Sequence, residues 1–404
     1  MNKNTIHIAV LSVLFITGPA AAVEFDGFLT AGVAAHDQKL VTYLDGITED
    51  VSFDNDSKFG LQISAKVAEN MQAVAQILAR GSNDNYDMDI AWAYLDYRLT
   101  EGLSLRGGKV KEPVFLISDY FEVGYAYPWI RPPQEVYRNN PINTINGLQM
   151  QYAANLGAVT FLLQPYLGSN TDDVPGTGGQ AQFLAEKFYG AAMQLSNPSF
   201  TFQVSHLKTD VATQGFVPVV DSDGNGFPDN VFGDNAGGPQ LDPATSMFLM
   251  GVNSVGTATL SSAGLSWDIA NFVGYTEYVT RDITDSSETL FPDQDAYYVT
   301  LGYRMGKWLP HVTFAHSEAK PLSPATAPLA NVFAVSQDSA TIGLRYELND
   351  SAALKIEYET IDLPTDSADR PPGSNGLYSD ALTPFGVTVE DKSSMISIAI
   401  DVIF

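Results

Sequence analysis

The stretch "SSMISIAIDVIF", residues 393–404, ends the chain and alternates between two kinds of side chain. Counting back from the last residue, every second position is bulky and apolar. These positions are Phe404, Val402, Ile400, Ile398 and Ile396. The positions between them mix apolar, small, polar and charged residues, including Asp401 and Ser397. Because successive residues of a β-strand point to opposite faces, the pattern predicts a strand with one wholly apolar face.

The same period of two recurs along the chain, for example in "SKFGLQISAKV" (57–67), "ATIGLRYEL" (340–348) and "ALKIEYET" (353–360). The predicted strands are about ten residues or longer, whereas strands of soluble proteins usually have about five or six. Charged residues such as Lys66, Arg345 and Glu357 fall in mid-strand on the polar face, which indicates a wide aqueous interior.

Sixteen strands are predicted in all. They are 24–36, 56–68, 71–81, 87–98, 103–111, 145–154, 158–168, 184–195, 199–208, 258–269, 271–281, 295–305, 308–318, 338–348, 352–362 and 393–404. Short turns and long connections alternate, and only 82–86 is short where a long connection is due. Such alternation is typical of an all-β, antiparallel, transmembrane barrel with short periplasmic turns and long external loops. The last strand must pair with the first, since an open edge in lipid would leave backbone groups unpaired.

The first 22 residues differ from the rest. Lys3 precedes an apolar run from Ile6 to Ile16, and Ala20 and Ala22 follow a Gly-Pro break. This order predicts a secretory signal peptide cleaved after Ala22, with residues 23–404 forming the barrel. The alternative is a membrane anchor helix, but the run is about half of the roughly 20 residues that such a helix needs.

Composition excludes several classes. A net charge of -26 is unfavourable for nucleic-acid binding, and the absence of cysteine excludes disulfides and thiolate metal sites.

A hydrolase would need a histidine beside a nucleophile. After the signal the histidines are His36, His206, His311 and His316, and no G-x-S-x-G motif accompanies them, so we do not expect an enzyme.

Short motifs carry a resemblance to the general porins of Gram-negative bacteria. They are "SKFG" at 57–60, "YRNN" at 137–140 and "NGLQMQY" at 146–152, and the terminal "IDVIF" resembles the outer-membrane assembly signal. The resemblance implies a homotrimer in the outer membrane, in contact with lipopolysaccharide, through which small hydrophilic solutes diffuse. It also implies that the third external loop, 112–144, folds into the barrel and narrows the pore.

The resemblance also implies which charges line the constriction. Arg138 matches the family's wall arginine, and Lys109, Arg80 and Lys58 are further basic candidates. Asp119 and Glu122 would be the acidic partners on the loop. Opposed charges across a narrow pore set its ion preference. The alternative is that these residues are simply solvated in the lumen.

Residues 112–144 depart from the family in being rich in aromatic rings, and Pro132 and Pro133 stiffen the segment. Arg131 is expected to stack on Trp129 and Tyr127. An aromatic constriction would favour a specific organic solute, and a channel selective for one solute is therefore an alternative. The rings would otherwise only pack the loop against the wall.

A surface receptor or adhesin that acts through the long loops is a further alternative function. For a channel, the net charge suggests a modest cation preference.

The longest predicted external loop, 209–257, contains "DSDGNGFPDN" at 221–230. Its spacing resembles the first half of a calcium-binding loop, in which alternate oxygen ligands wrap one cation and a glycine permits the turn. The predicted ligands are Asp221, Asp223, Asn225, the carbonyl of Phe227, and Asp229. Position 12 is Phe232 rather than glutamate, so we expect weak, structural binding, and a plain polar turn is the alternative.

Overall fold

The computed structural model describes most of the chain. The described residues are 23–39, 42–43, 46–82, 85–140, 142–173, 181–219, 240–242, 247–285, 292–320, 335–364, 378–379 and 390–404. Among them, no helix is long and apolar enough to cross a lipid bilayer.

Sixteen long strands make up the wall. They are β1 Val23–His36, β2 Lys58–Ala68, β3 Met71–Ser82, β4 Asn85–Thr100, β5 Leu103–Lys111, β6 Thr144–Leu156, β7 Val159–Asp173, β8 Ala181–Asn197, β9 Phe200–Val219, β10 Met247–Ile269, β11 Phe272–Asp285, β12 Gln294–Tyr303, β13 Trp308–Ala319, β14 Gln337–Asn349, β15 Ala352–Asp362 and β16 Lys392–Ile403. A short strand, Gln240–Asp242, pairs with the start of β10, and Thr42–Tyr43 pairs with Tyr378–Ser379. The helical turns are Ser118–Tyr120, Gly124–Ala126 and Gln134–Tyr137.

The sheet closes on itself. Every strand is antiparallel to its neighbours, and β1 pairs with both β2 and β16. The seam between β1 and β16 runs from the Phe28–Ile403 pair to the His36–Met395 pair. The predicted sixteen-stranded antiparallel barrel, closed between its first and last strands, is confirmed.

The last strand shows how the faces are divided. Ile396, Ile398 and Ile400 are 54%, 39% and 43% exposed on the outside, whereas Ser397 and Asp401 are buried on the inside. Apolar side chains thus cover the surface that faces lipid. The burial of the polar inward side chains means that something inside the barrel covers them.

Short turns join the strands at one end of the barrel. Ala270 and Asn271 connect β10 to β11, and both have positive φ angles, 50° and 73°. Two such residues in succession form the hairpin turn whose twist matches that of the flanking strands. Gly157 and Gly306 take the same left-handed conformation in two other short turns.

At the opposite end, β9 and β10 extend beyond their predicted bounds. The ladder continues to the Val219–Phe248 pair, well into the predicted connection 209–257. Outside the membrane a strand needs no continuous apolar face, so the alternation that marks the other strands is not required there. The sequence pattern consequently misses this part of the hairpin.

The seam offers a stability test at Gly27. A Cβ atom there would lie 2.3 Å from the ring of Phe404, which stacks on Phe59 with a centroid distance of 6.3 Å. We expect Gly27→Val to displace the terminal ring and to lower the free energy of unfolding by about 1–3 kcal/mol. Urea unfolding in lipid vesicles measures it. Ala31→Val, at an exposed outward position of β1, is the matched control, and equal stability of the two variants would contradict the role of Phe404.

Candidate functional site

Residues 112–143, which we call the inner segment, connect β5 to β6 and are described except for residue 141. Trp129 is buried in the segment, and its indole Nε1 donates to Thr300 and Thr313, each at 3.0 Å. Both threonines are buried, and they alternate with the exposed residues Leu301 and Val312 along β12 and β13. The inner segment therefore lies inside the barrel, against the inward faces of these strands.

Wall cations donate hydrogen bonds to backbone carbonyls of the inner segment, whose regular structure is three short helical turns. Lys355 on β15 donates to the carbonyls of Gly124 and Trp129, at 2.6 and 2.5 Å. Its ammonium also pairs with Asp401 at 2.7 Å, so its three donors each face an acceptor. Arg345 on β14 donates to the carbonyl of Tyr127 at 2.9 Å.

Wall carboxylates bind the segment's N–H groups. Glu277 on β11 accepts from the backbone N–H of Leu116 at 2.8 Å and from the hydroxyl of Tyr137 at 2.9 Å. Glu357 on β15 accepts from the backbone N–H of Ile130 at 3.0 Å. Wall cations therefore contact carbonyl oxygens of the inner segment, and wall carboxylates contact its N–H groups.

These contacts change the interpretation of the mid-strand charges. Arg345 and Glu357 were expected to face a wide aqueous interior, but they are only 6% and 5% exposed. They are buried because they bond the inner segment. The expectation was wrong for these residues, since alternation tells which face a side chain takes but not what lies opposite it.

Three of the predicted constriction residues meet at one point. Glu122 of the inner segment pairs with Arg80 on β3 at 2.6 Å and lies 4.0 Å from the ammonium of Lys58 on β2. Burial opposes ionisation of Glu122, but Arg80, Lys58 and Lys111 outweigh it and lower its pKa to about 2. Glu122 is therefore ionised at neutral pH and fixes the segment to the β2–β3 wall.

Arg131 makes a different set of contacts from the expected one. Its guanidinium bonds the carboxylate of Asp56 and the hydroxyl of Ser397 on β16. Asp56 belongs to the connection between β1 and β2, which approaches β1 closely: a Cβ on Gly32 would lie 2.4 Å from the Cβ of Asp56. Arg131 thus joins the inner segment to that connection and to the last strand.

Tyr127 and Trp129, the rings expected to stack on Arg131, contact other side chains, as does the neighbouring Tyr125. Lys355 lies 4.9 Å from the ring centroid of Tyr127, and Arg345 lies 4.7 Å from that of Tyr125. Trp129 instead packs edge-on against Tyr275 and Tyr298, with centroid distances of 4.7 and 5.7 Å. Much of the aromatic content of the segment therefore packs it against the wall.

The remaining predicted residues lie apart from this contact. Arg138 caps the C-terminus of the turn Gln134–Tyr137, so it lies on the inner segment and not on a wall strand as the motif implied. Lys109 bonds within the wall, to the carbonyl of Ile90 at 2.7 Å and to Asp89 at 3.4 Å. Asp119 lies in the turn Ser118–Tyr120 with an exposed side chain.

The predicted calcium ligands, Asp221, Asp223, Asn225, Phe227 and Asp229, fall outside the described residues. Within the described part of the chain, no group of three His, Asp or Glu side chains is arranged to hold a metal ion.

Arg106 is a charged residue at the site that sequence reasoning missed. It lies on β5, and its guanidinium bonds Asp96 on β4 at 2.8 Å and lies 5.0 Å from the ring centroid of Tyr94. Its side chain is 25% exposed. The signal was present in "LSLRGGKVK", where Arg106 alternates with the outward residue Leu105.

A cavity of about 360 Å³ lies between the inner segment and the short turns. Tyr125 and Tyr275 line it together with Arg304, which pairs with Asp268 at 2.8 Å. Asn197 and Pro198 of a short turn also line it, so the cavity lies at the short-turn end of the barrel.

Comparisons with known proteins agree with this architecture. A family model described as Gram-negative porin matches residues 9–366. The fold is similar to OmpT of Vibrio cholerae, with 12% identity, a TM-score of 0.56, and coverage of 96% of this chain and 99% of that chain. It is also similar to OmpF of Salmonella typhi in complex with daunomycin, with 13% identity, a TM-score of 0.54, and coverage of 95% and 98%.

A third similar structure is the anion-selective porin from Comamonas acidovorans, with 11% identity, a TM-score of 0.55, and coverage of 95% of this chain and 100% of that chain. At these identities the solved structures support the fold alone. No curated protein sequence matches the chain at a significant level.

Lys355 provides a test of how the segment is held. Lys355→Met leaves the Asp401 carboxylate and two carbonyls buried without their cation, and we expect it to lower the free energy of unfolding by about 3–5 kcal/mol. Urea unfolding in lipid vesicles measures the loss. Lys66→Met removes an exposed lysine from β2 and serves as the control. A Lys355 variant as stable as the Lys66 variant would contradict the anchoring role.

Proposed function

Because the chain belongs to the Gram-negative porin family, we propose that it forms a water-filled channel through which small hydrophilic solutes and ions diffuse passively. Its barrel is that of an outer-membrane protein. In this proposal the inner segment, with Glu122, Asp119, Arg131 and Arg138, narrows the pore.

One observation supports the proposed constriction: the inner segment is bonded to the wall on both sides of the interior. Glu122 reaches Arg80 and Lys58 on β2 and β3, while Lys355 on β15 and Glu277 on β11 hold other parts of the same segment. A segment tied to several strands around the barrel reduces the cross-section open to solutes. Solutes would then pass between its exposed residues, such as Asp119 and Ala126, and the neighbouring wall.

Further parts of the proposal rest on family membership and on sequence. We propose a homotrimer in contact with lipopolysaccharide, exported through a signal peptide cleaved after Ala22. The short connection at 82–86 weakens the trimer part of the proposal, because in typical members that loop latches neighbouring subunits. Structural calcium binding at residues 221–230 also remains a prediction.

The deciding experiment is single-channel recording of the outer-membrane form of the protein in a planar lipid bilayer. We expect stepwise, ohmic increases of current, because a pore of fixed width conducts in proportion to voltage. Absence of conductance in a correctly folded preparation would overturn the channel proposal and favour a surface receptor acting through the external loops.

Substitutions of Asp56 and Arg131 test whether the inner segment sets the width of the pore. Loss of their ion pair in Asp56→Asn or Arg131→Gln is expected to loosen the segment and raise the noise of the open-channel current. The double variant should resemble Arg131→Gln, since both lose the contacts of the Arg131 guanidinium with Asp56 and Ser397. Glu318→Gln, at an exposed outward position of β13, is the control, and current noise equal to that of the control would contradict the proposal.

A further inference from the structure

Beside β2–β5, both the inner segment and the wall have solvent-exposed groups, and we call the space between them the opening. On the segment, Asp119 is exposed and Phe121 is half-buried. On the wall, the Arg80 side chain is 47% exposed and that of Arg106 is 25% exposed. These are the groups that a passing solute would meet.

Among the side chains that the structure describes here, cations outnumber carboxylates. Lys58, Lys111 and Arg80 act electrostatically on Glu122, and Arg106 and Lys111 act on Asp119. The four cations are Lys58, Arg80, Arg106 and Lys111, and the three carboxylates are Asp96, Asp119 and Glu122. Burial raises the pKa of Glu112, the other carboxyl near Lys111, to about 8, so it is mostly uncharged at neutral pH.

The charges also differ in how far a solute can reach them. Glu122 is 5% exposed, whereas the Arg80 side chain bonded to it is 47% exposed. The carboxylate is thus covered and the guanidinium, which carries five N–H donors, faces the opening. A solute in the opening meets the positive partner of this pair.

Aromatic rings lie next to the cations. The guanidinium of Arg106 is 5.0 Å from the ring centroid of Tyr94, and the ammonium of Lys111 is 5.8 Å from that of Phe121. Both rings are half-buried. An aromatic ring of a solute would pack favourably against such rings. A carboxylate attached to that ring would then lie beside the cations and accept their hydrogen bonds.

We propose that this opening is a binding subsite for small aromatic carboxylates and that the channel prefers anions. The inference rests on the proposed channel function and names its solute class. It reverses the cation preference suggested by the net charge of -26, because the charges beside the path, and not the total, set the preference. Arg80 and Arg106 bind the carboxylate, and Phe121 and Tyr94 pack against its ring.

The first measurement is the reversal potential of the unmodified protein in a planar bilayer under a tenfold potassium chloride gradient. We expect chloride to be about threefold more permeant than potassium. The second is block of the current by benzoate, with cyclohexanecarboxylate and benzylammonium as probes that change the ring or the charge. We expect benzoate to half-block at a concentration about fivefold lower than cyclohexanecarboxylate. Benzylammonium should not block in this range.

Variants assign the effects to residues. Arg80→Gln should shift the permeability ratio towards potassium, and Phe121→Leu should bring the two carboxylates to equal block. Lys392→Gln removes an 81% exposed lysine at the end of β16. It should change neither the permeability ratio nor the difference in block between the two carboxylates. If a variant fails to fold, the measurements on the unmodified protein still decide whether the channel prefers anions and binds aromatic carboxylates.

The outcomes separate the two proposals. Ohmic conductance with cation preference, or equal block by benzoate and cyclohexanecarboxylate, would leave the channel function intact and overturn the aromatic anion subsite. Absence of conductance would overturn the channel function and this inference together.

Discussion

Every backbone N–H and C=O group away from water needs a partner, and this constraint governs both the wall and the interior of the barrel. In the wall it is met by strand pairing, completed where β1 meets β16. In the interior it is met by side chains, because the inner segment has little regular structure of its own. Lys355 and Glu357, two residues apart on β15, bind a carbonyl and an N–H of that segment respectively.

The charges of this protein therefore have two different uses. Buried ones, such as Lys355 and Glu277, hold the inner segment and are hidden from solutes. Partly exposed ones, such as Arg80 and Arg106, remain accessible to solvent inside the barrel. A single net charge for the chain mixes both groups with the acids of the external connections, so it does not describe the field inside the pore.

The wall was highly predictable from sequence because a strand between lipid and lumen must alternate. The predicted strand 352–362 has the observed bounds of β15, and the faces of β16 are as expected. The interior was less predictable. Alternation gives the inward direction of Glu357 but not its contact with Ile130, which depends on how a distant segment folds. The motif around Arg138 suggested a wall position, but a turn of helix places that residue on the segment.

The contact between Arg131 and Ser397 joins residues 266 positions apart in the chain. Asp401, the partner of Lys355, also lies on the last strand. The inner segment consequently cannot complete its bonds until the final strand has been added to the sheet. Contacts between residues so far apart in the chain require a large loop to close before they are made. The contacts that hold the inner segment in place are thus completed only when the barrel is sealed.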